Sequence, residues 1–158
     1  MLAVRDESLL ERADRNLADL LQEVRIAQSG VQILFGFLLS AGFSRRLTEL
    51  TSLQSALYTG TLSLSVLSTI ILAAPAAVHR MTFARGRKQA TVRIGHHLFA
   101  VGLLTVGLTI VGATTLVVDL VLGPRAGSVV TAAVSAYLAA VWLLLPWWSR
   151  RGILHRRV

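Results

Sequence analysis

"IGHHLFAVGLLTVGLTIVGATTLVVDLVL", residues 94–122, contains one carboxylate, Asp119, two histidines near its start, and no lysine or arginine. Apolar side chains run through it without the period of two that marks a half-buried strand. A hydrocarbon core roughly 30 Å thick needs about 20 helical residues to cross it. The stretch exceeds that length, so it reads as a membrane-spanning helix that tilts or projects from the bilayer.

Three more segments of the same kind flank it. We place spans at 26–43, 53–78 (with its end near Pro75), 94–122 and 129–148, the last following a Gly/Pro turn "GPRAGS" at 123–128. The whole chain agrees, with 54% hydrophobic residues among 158 and a mean hydropathy of +0.64. It has no cysteine, which removes disulfides, thiolate metal sites and thiol nucleophiles.

Ahead of the spans lies "SLLERADRNLADLLQEVR", residues 8–25, with Leu9, Leu10, Ala13, Leu17, Leu20, Leu21 and Val24 at three- and four-residue steps. That pattern predicts an amphipathic helix, and Ser8 with Glu11 fits a capping box at its start. Its acidic residues and missing cleavage site exclude a signal peptide. It is expected to lie along the membrane surface or to run straight into the first span.

The net charge of +8 is explained by orientation. Thirteen of the sixteen basic residues fall in the N-terminal region, in the basic loop 79–93 and in the basic tail 149–158. Only Arg45, Arg46 and Arg125 lie on the other side, so both termini are expected in the cytoplasm of a plasma-membrane protein. The fold class expected is therefore all-α, a bundle of four transmembrane helices preceded by the amphipathic helix. Arg80, Arg85, Arg87, Lys88 and Arg93 are expected to contact anionic headgroups, and nucleic acid is not expected as a partner.

Polar residues line up along the predicted spans. Arg25, Gln28, Ser29, Gln32, Gly36 and Ser40 share one stripe at 100° per residue, and Gln54, Tyr58, Thr61, Ser65 and Ser68 share another. His97, Thr105, Gly112, Thr115 and Asp119 mark a third face, and Ser128, Ala132, Ala136 and Ala140 form a small-residue ridge suited to helix approach. Two readings compete: helix packing, or a polar path for an ion or small solute. The polar-seam residues carrying the second are Arg25, Gln28, Gln32, Gln54, Tyr58 and Asp119. An ion pair of Asp119 with Arg45, Arg46 or Arg125 is the structural alternative.

Enzyme chemistry finds no support. His96 and His97 are adjacent and point to different helix faces, His79 and His155 sit in basic interfacial stretches, and no metal, nucleotide or catalytic-triad spacing is present. We expect no metal, no cofactor and no catalytic residue.

"VRIAQSGVQILFGFLLS", "APAAVHRMTFARGRK" and "TTLVVDLVLG" together resemble an uncharacterised actinobacterial family of small four-span integral membrane proteins. Some members carry an automatic sodium:proton antiporter label. The most specific match is the R-x-x-Q-x-G-x-Q block at Arg25, Gln28, Gly30 and Gln32. The label fits the residues poorly, because proton-coupled exchange needs an ionisable group reached from both sides, and the one intramembrane carboxylate lies near one surface. The reading taken forward is a homo-oligomeric protein with a polar permeation path between protomers. The alternative is a non-transporting accessory or scaffold subunit docked on a larger membrane complex.

Overall fold

A computed structural model describes residues 9–45, 49–82, 88–144 and 147–148. Over these residues the chain is helical, without a strand: α1 Leu9–Gly42, α2 Ser52–Thr82, α3 Lys88–Leu122 and α4 Pro124–Ala139, the last continued by a π-helical turn Ala140–Leu144. Four stretches are long and apolar enough to cross a bilayer: Ala18–Gly42, Ser52–Val78, Ile94–Leu122 and Pro124–Leu144. The chain is a membrane protein.

Several boundaries differ from the sequence reading, each for a local reason. The segment expected to be amphipathic runs, from Leu9 on, straight into the first span, one of the two arrangements expected for it. No glycine or proline interrupts "LADLLQEVRIAQ", whose residues are mostly strong helix formers, and α1 runs through it unbroken. The second helix does not stop near Pro75 but continues to Thr82 with that proline inside it. Proline is tolerated there because neighbouring helices shield the carbonyl it frees, and Pro75 is buried.

The basic segment 79–93 is largely helical, since α2 and α3 extend into it from both sides. Arg80 is exposed at the end of α2, and Lys88 and Arg93 fall on α3. Arg85, Arg87, Arg46, the tail 149–158 and Ser8 of the expected cap lie outside the described residues. The turn "GPRAGS" contracts to one residue. Gly123 alone is non-helical, with φ 88° and ψ 171°, a region essentially closed to side chains, and Pro124 opens α4 at its first position. The Gly123 N–H donates to the Asp119 carbonyl at 2.9 Å and closes the end of α3.

The tight hinge folds α4 back on α3, which forms the centre of the bundle. Buried residues make up 39% of the α3 span window, 17% in α1 and 6% in α4, so the flanking helices are peripheral. The interior is small and partly polar. α1 contributes Leu20, Val24, Val31 and Leu38, while α2 contributes Thr61, Ser65, Ser68 and Leu72. Glycines on α3 let the helices close: a side chain at Gly102 would collide with Leu72, and one at Gly112 with Thr61. Large apolar residues such as Ile33, Ile70, Leu104 and Val129 face outward, as a lipid-facing surface requires.

Candidate functional site

The polar residues singled out from sequence separate into two groups. At one end of the bundle, three helices meet around Asp119. Its Oδ2 accepts a hydrogen bond from Gln54 Nε2 at 2.9 Å, joining α3 to α2. On the other side α4 comes so close that a Cβ at Gly127 would lie 3.1 Å from the Asp119 Cβ and 3.3 Å from its Cα. One layer deeper, the Thr115 and Thr131 hydroxyls meet at 2.6 Å across α3 and α4. Both also reach carbonyls in their own helices, Val111 and Gly127, so two hydroxyl protons serve three contacts.

Gln54 has a second task that sequence reading missed. Its side-chain Oε1 accepts from the Thr51 N–H at 3.0 Å, and its own N–H donates to Thr51 Oγ1 at 3.3 Å, which is a capping box at the start of α2. The signal was present in "TSLQ", residues 51–54, ahead of an apolar run. One amide therefore caps α2 and ties it to α3. Among the described residues the hydrogen-bond partner of the Asp119 carboxylate is this glutamine, where an ion pair with an arginine was the structural alternative. The other carboxylate oxygen, Oδ1, is shielded from solvent and has no hydrogen-bond partner among the described residues. A cleft of about 400 Å³ opens beside it, lined on its polar side by Gln54, Thr115, Asp119, Ser128, Thr131 and Ser135.

Tyr58 joins this end to α1. Its hydroxyl donates to the Leu38 carbonyl at 2.9 Å, and the approach depends on Gly42, where a Cβ would sit 2.6 Å from that oxygen. Below it, the seam expected on α2 is closed. Thr61 donates to the Leu57 carbonyl, Ser65 to Leu62 and Ser68 to Leu64, each at 2.7 Å. Facing them, Thr105 bonds the Gly102 carbonyl at 2.8 Å and Thr109 bonds Thr105 at 2.8 Å. Hydroxyls turned onto their own backbone are satisfied without a partner from the facing helix.

The second group lies on α1 and points away from the bundle. Arg25 and Gln32 are exposed and Gln28 is half-buried, because the packed edge of α1 is the line through Leu20, Val24, Val31 and Leu38. Ser29, Gly36 and Ser40 share the exposed side, and a Cβ at Gly36 would meet nothing within 4 Å. On the opposite flank of α1 an apolar groove of about 450 Å³ runs between α1, α3 and Trp142, lined by Ile26, Gly30, Leu34, Phe99 and Leu103 among others. The structure therefore brings Gln54 and Asp119 into direct contact, sets Tyr58 nearby, and leaves the Arg25, Gln28 and Gln32 stripe apart from all three.

The small-residue ridge on α4 does not face the other helices of the protomer. Ser128, Ala132 and Ala136 are exposed, and α4 packs through Gly127, Thr131 and Leu138 instead. His96 and His97 are exposed on α3, and among the described residues no three His, Asp or Glu side chains gather as metal ligands.

Four helices, each with a stretch long and apolar enough to cross a bilayer, define a four-helix membrane protein. A family model matches residues 6–146, and the chain belongs to that family, DUF6328, a family of unknown function. No match is found among curated proteins or among solved structures.

Proposed function

We propose that the protein acts by lateral association within the membrane, as a non-transporting accessory or scaffold subunit, and not by conducting solute through its own bundle. One contrast carries this reading. The hydroxyls of Thr61, Ser65 and Ser68 inside the protomer are consumed by their own helix, whereas the Gln32 amide of α1 is turned outward. Gln54, Tyr58 and Asp119 then serve as a clasp that holds α1, α3 and α4 on α2, and Arg25, Gln28 and Gln32 serve the external surface. No enzymatic step is part of this reading.

The permeation reading keeps one supporting observation, since Arg25, Gln28 and Gln32 share an outward face that several protomers could turn toward a common axis. Purified protein in liposomes distinguishes the two. Flux of a panel of monovalent ions should stay at the level of empty vesicles. Flux above that level, altered by Gln32→Leu, overturns the accessory reading and establishes a path between protomers.

The charge distribution supports a plasma-membrane orientation with both termini cytoplasmic and with Arg80 and its basic neighbours against anionic headgroups. Because the chain has no cysteine, single cysteines report topology directly. A cysteine at Arg80 should label from the cytoplasmic side only, and one at Glu49 from the opposite side only.

A further inference from the structure

The outward edge of α1 carries an inference about its partner, and it rests on the association reading above. Gln32 lies ten residues before Gly42 and fourteen after Ala18, the limits of the first span, or roughly 15 and 21 Å along the helix. The cross-links to α2 give the same level independently. Tyr58 bonds Leu38 near one end and Gly95 brings Leu20 against Pro75 near the other, which places Gln32 within a turn of Ser65, the middle of α2. On these limits an exposed primary amide stands near the middle of the first span, and among the described residues no other side chain or carbonyl pairs with it. Such a group costs free energy until it finds a hydrogen-bond partner.

We propose that this partner is Gln32 of a second copy of the chain, in a two-fold symmetric contact along α1. An amide carries an acceptor and two donors, so it is complementary to itself. Copies inserted with one orientation lie parallel, and a two-fold axis along the membrane normal sets each residue of the contact opposite its own equivalent. Ser29, Gln32 and Gly36 follow at steps of three and four, the spacing of a helix–helix seam, with small side chains on either side of the amide. Among the described residues no atom would lie within 4 Å of a Cβ at Gly36. Arg25, seven residues before Gln32, limits the contact: two guanidinium groups on one axis repel, so the pair closes from Gln28 onward and Arg25 turns to the membrane surface.

Oxidative cross-linking tests this on the reconstituted full chain. Ser29→Cys and Gly36→Cys should form disulfide dimers, and Gly30→Cys and Phe37→Cys, each one residue further and about 100° around the helix, should not. Added to Gly36→Cys, Gln32→Leu should lower the cross-linked fraction about three- to tenfold at limiting protein-to-lipid ratio, and Gln32→Asn should recover much of it. Equal cross-linking at all four positions, or a Gln32→Leu dimer as strong as the parent, overturns the proposal. If the stripe cysteines join only a chain of different mass, in native membranes and never in the purified protein, self-association is overturned while lateral association stands. The liposome flux result judges that broader reading separately.

Discussion

Gln54 shows how much one side chain can hold when it sits at a junction. Its amide caps α2 through Thr51 and bonds Asp119 on α3, so its loss removes two different interactions at once. Gln54→Leu should destabilise the protein by about 1 to 2 kcal/mol, combining a lost cap with a lost interhelical bond. Asp119→Asn keeps an acceptor for Gln54 and should cost less than Asp119→Leu, which keeps none. Unfolding of the purified variants by SDS in mixed micelles checks both orders. Asp119 stood out in the sequence as the lone intramembrane carboxylate, but its partner did not. A residue 65 positions away becomes a neighbour only when antiparallel α2 and α3 set Gln54 level with Asp119.

At the scale of elements, the α3–α4 hairpin depends on two glycines for different reasons. Gly123 adopts a backbone conformation that a Cβ disfavours, and Gly123→Ala should cost about 1 to 3 kcal/mol. Gly127 is helical and unstrained, but its missing side chain admits the Asp119 backbone. Gly127→Ala should force α4 off α3 at a cost of about 1 to 3 kcal/mol, since the obstructing atoms include Asp119 Cα and not only a flexible tip. Ala136→Leu, on the exposed ridge, should change stability by less than about 0.5 kcal/mol. The same SDS unfolding measurement orders the three variants, and a large loss for Ala136→Leu would contradict the packed register of α4. Sequence spacing identified one register of small residues, Ser128–Ala132–Ala136, whereas the packed one, Gly127–Thr131, lies one residue before it. Periodicity alone cannot choose between stripes one residue apart, because both satisfy the same four-residue step.

The whole molecule is arranged with small and hydroxylated residues inside and large aliphatic ones outside, the order that lipid favours when association is driven by close contact and not by exclusion of water. The hydroxyls of the seam between α2 and α3 are occupied by hydrogen bonds to backbone carbonyls. Double replacement of Ser65 and Ser68 by alanine should therefore leave assembly and ion permeability of proteoliposomes unchanged, while costing little stability. A new or lost conductance in that variant would point to water in the seam.

Sequence by itself determined the class and the number of spans. Four apolar runs of sufficient length dictate membrane helices, because a bilayer leaves backbone N–H and C=O groups no partner but their own helix. The same arithmetic placed Gln32 on a polar stripe of α1. Whether that stripe turned inward or outward was decided only by tertiary structure, since α1 could bury either edge against α2 and α3. It buries Leu20, Val24, Val31 and Leu38, which leaves the Gln32 amide exposed near the middle of the first span, while Ser65, Ser68 and Thr109 are hidden. Helix periodicity fixes which residues share a face, but only contact between helices fixes what that face meets.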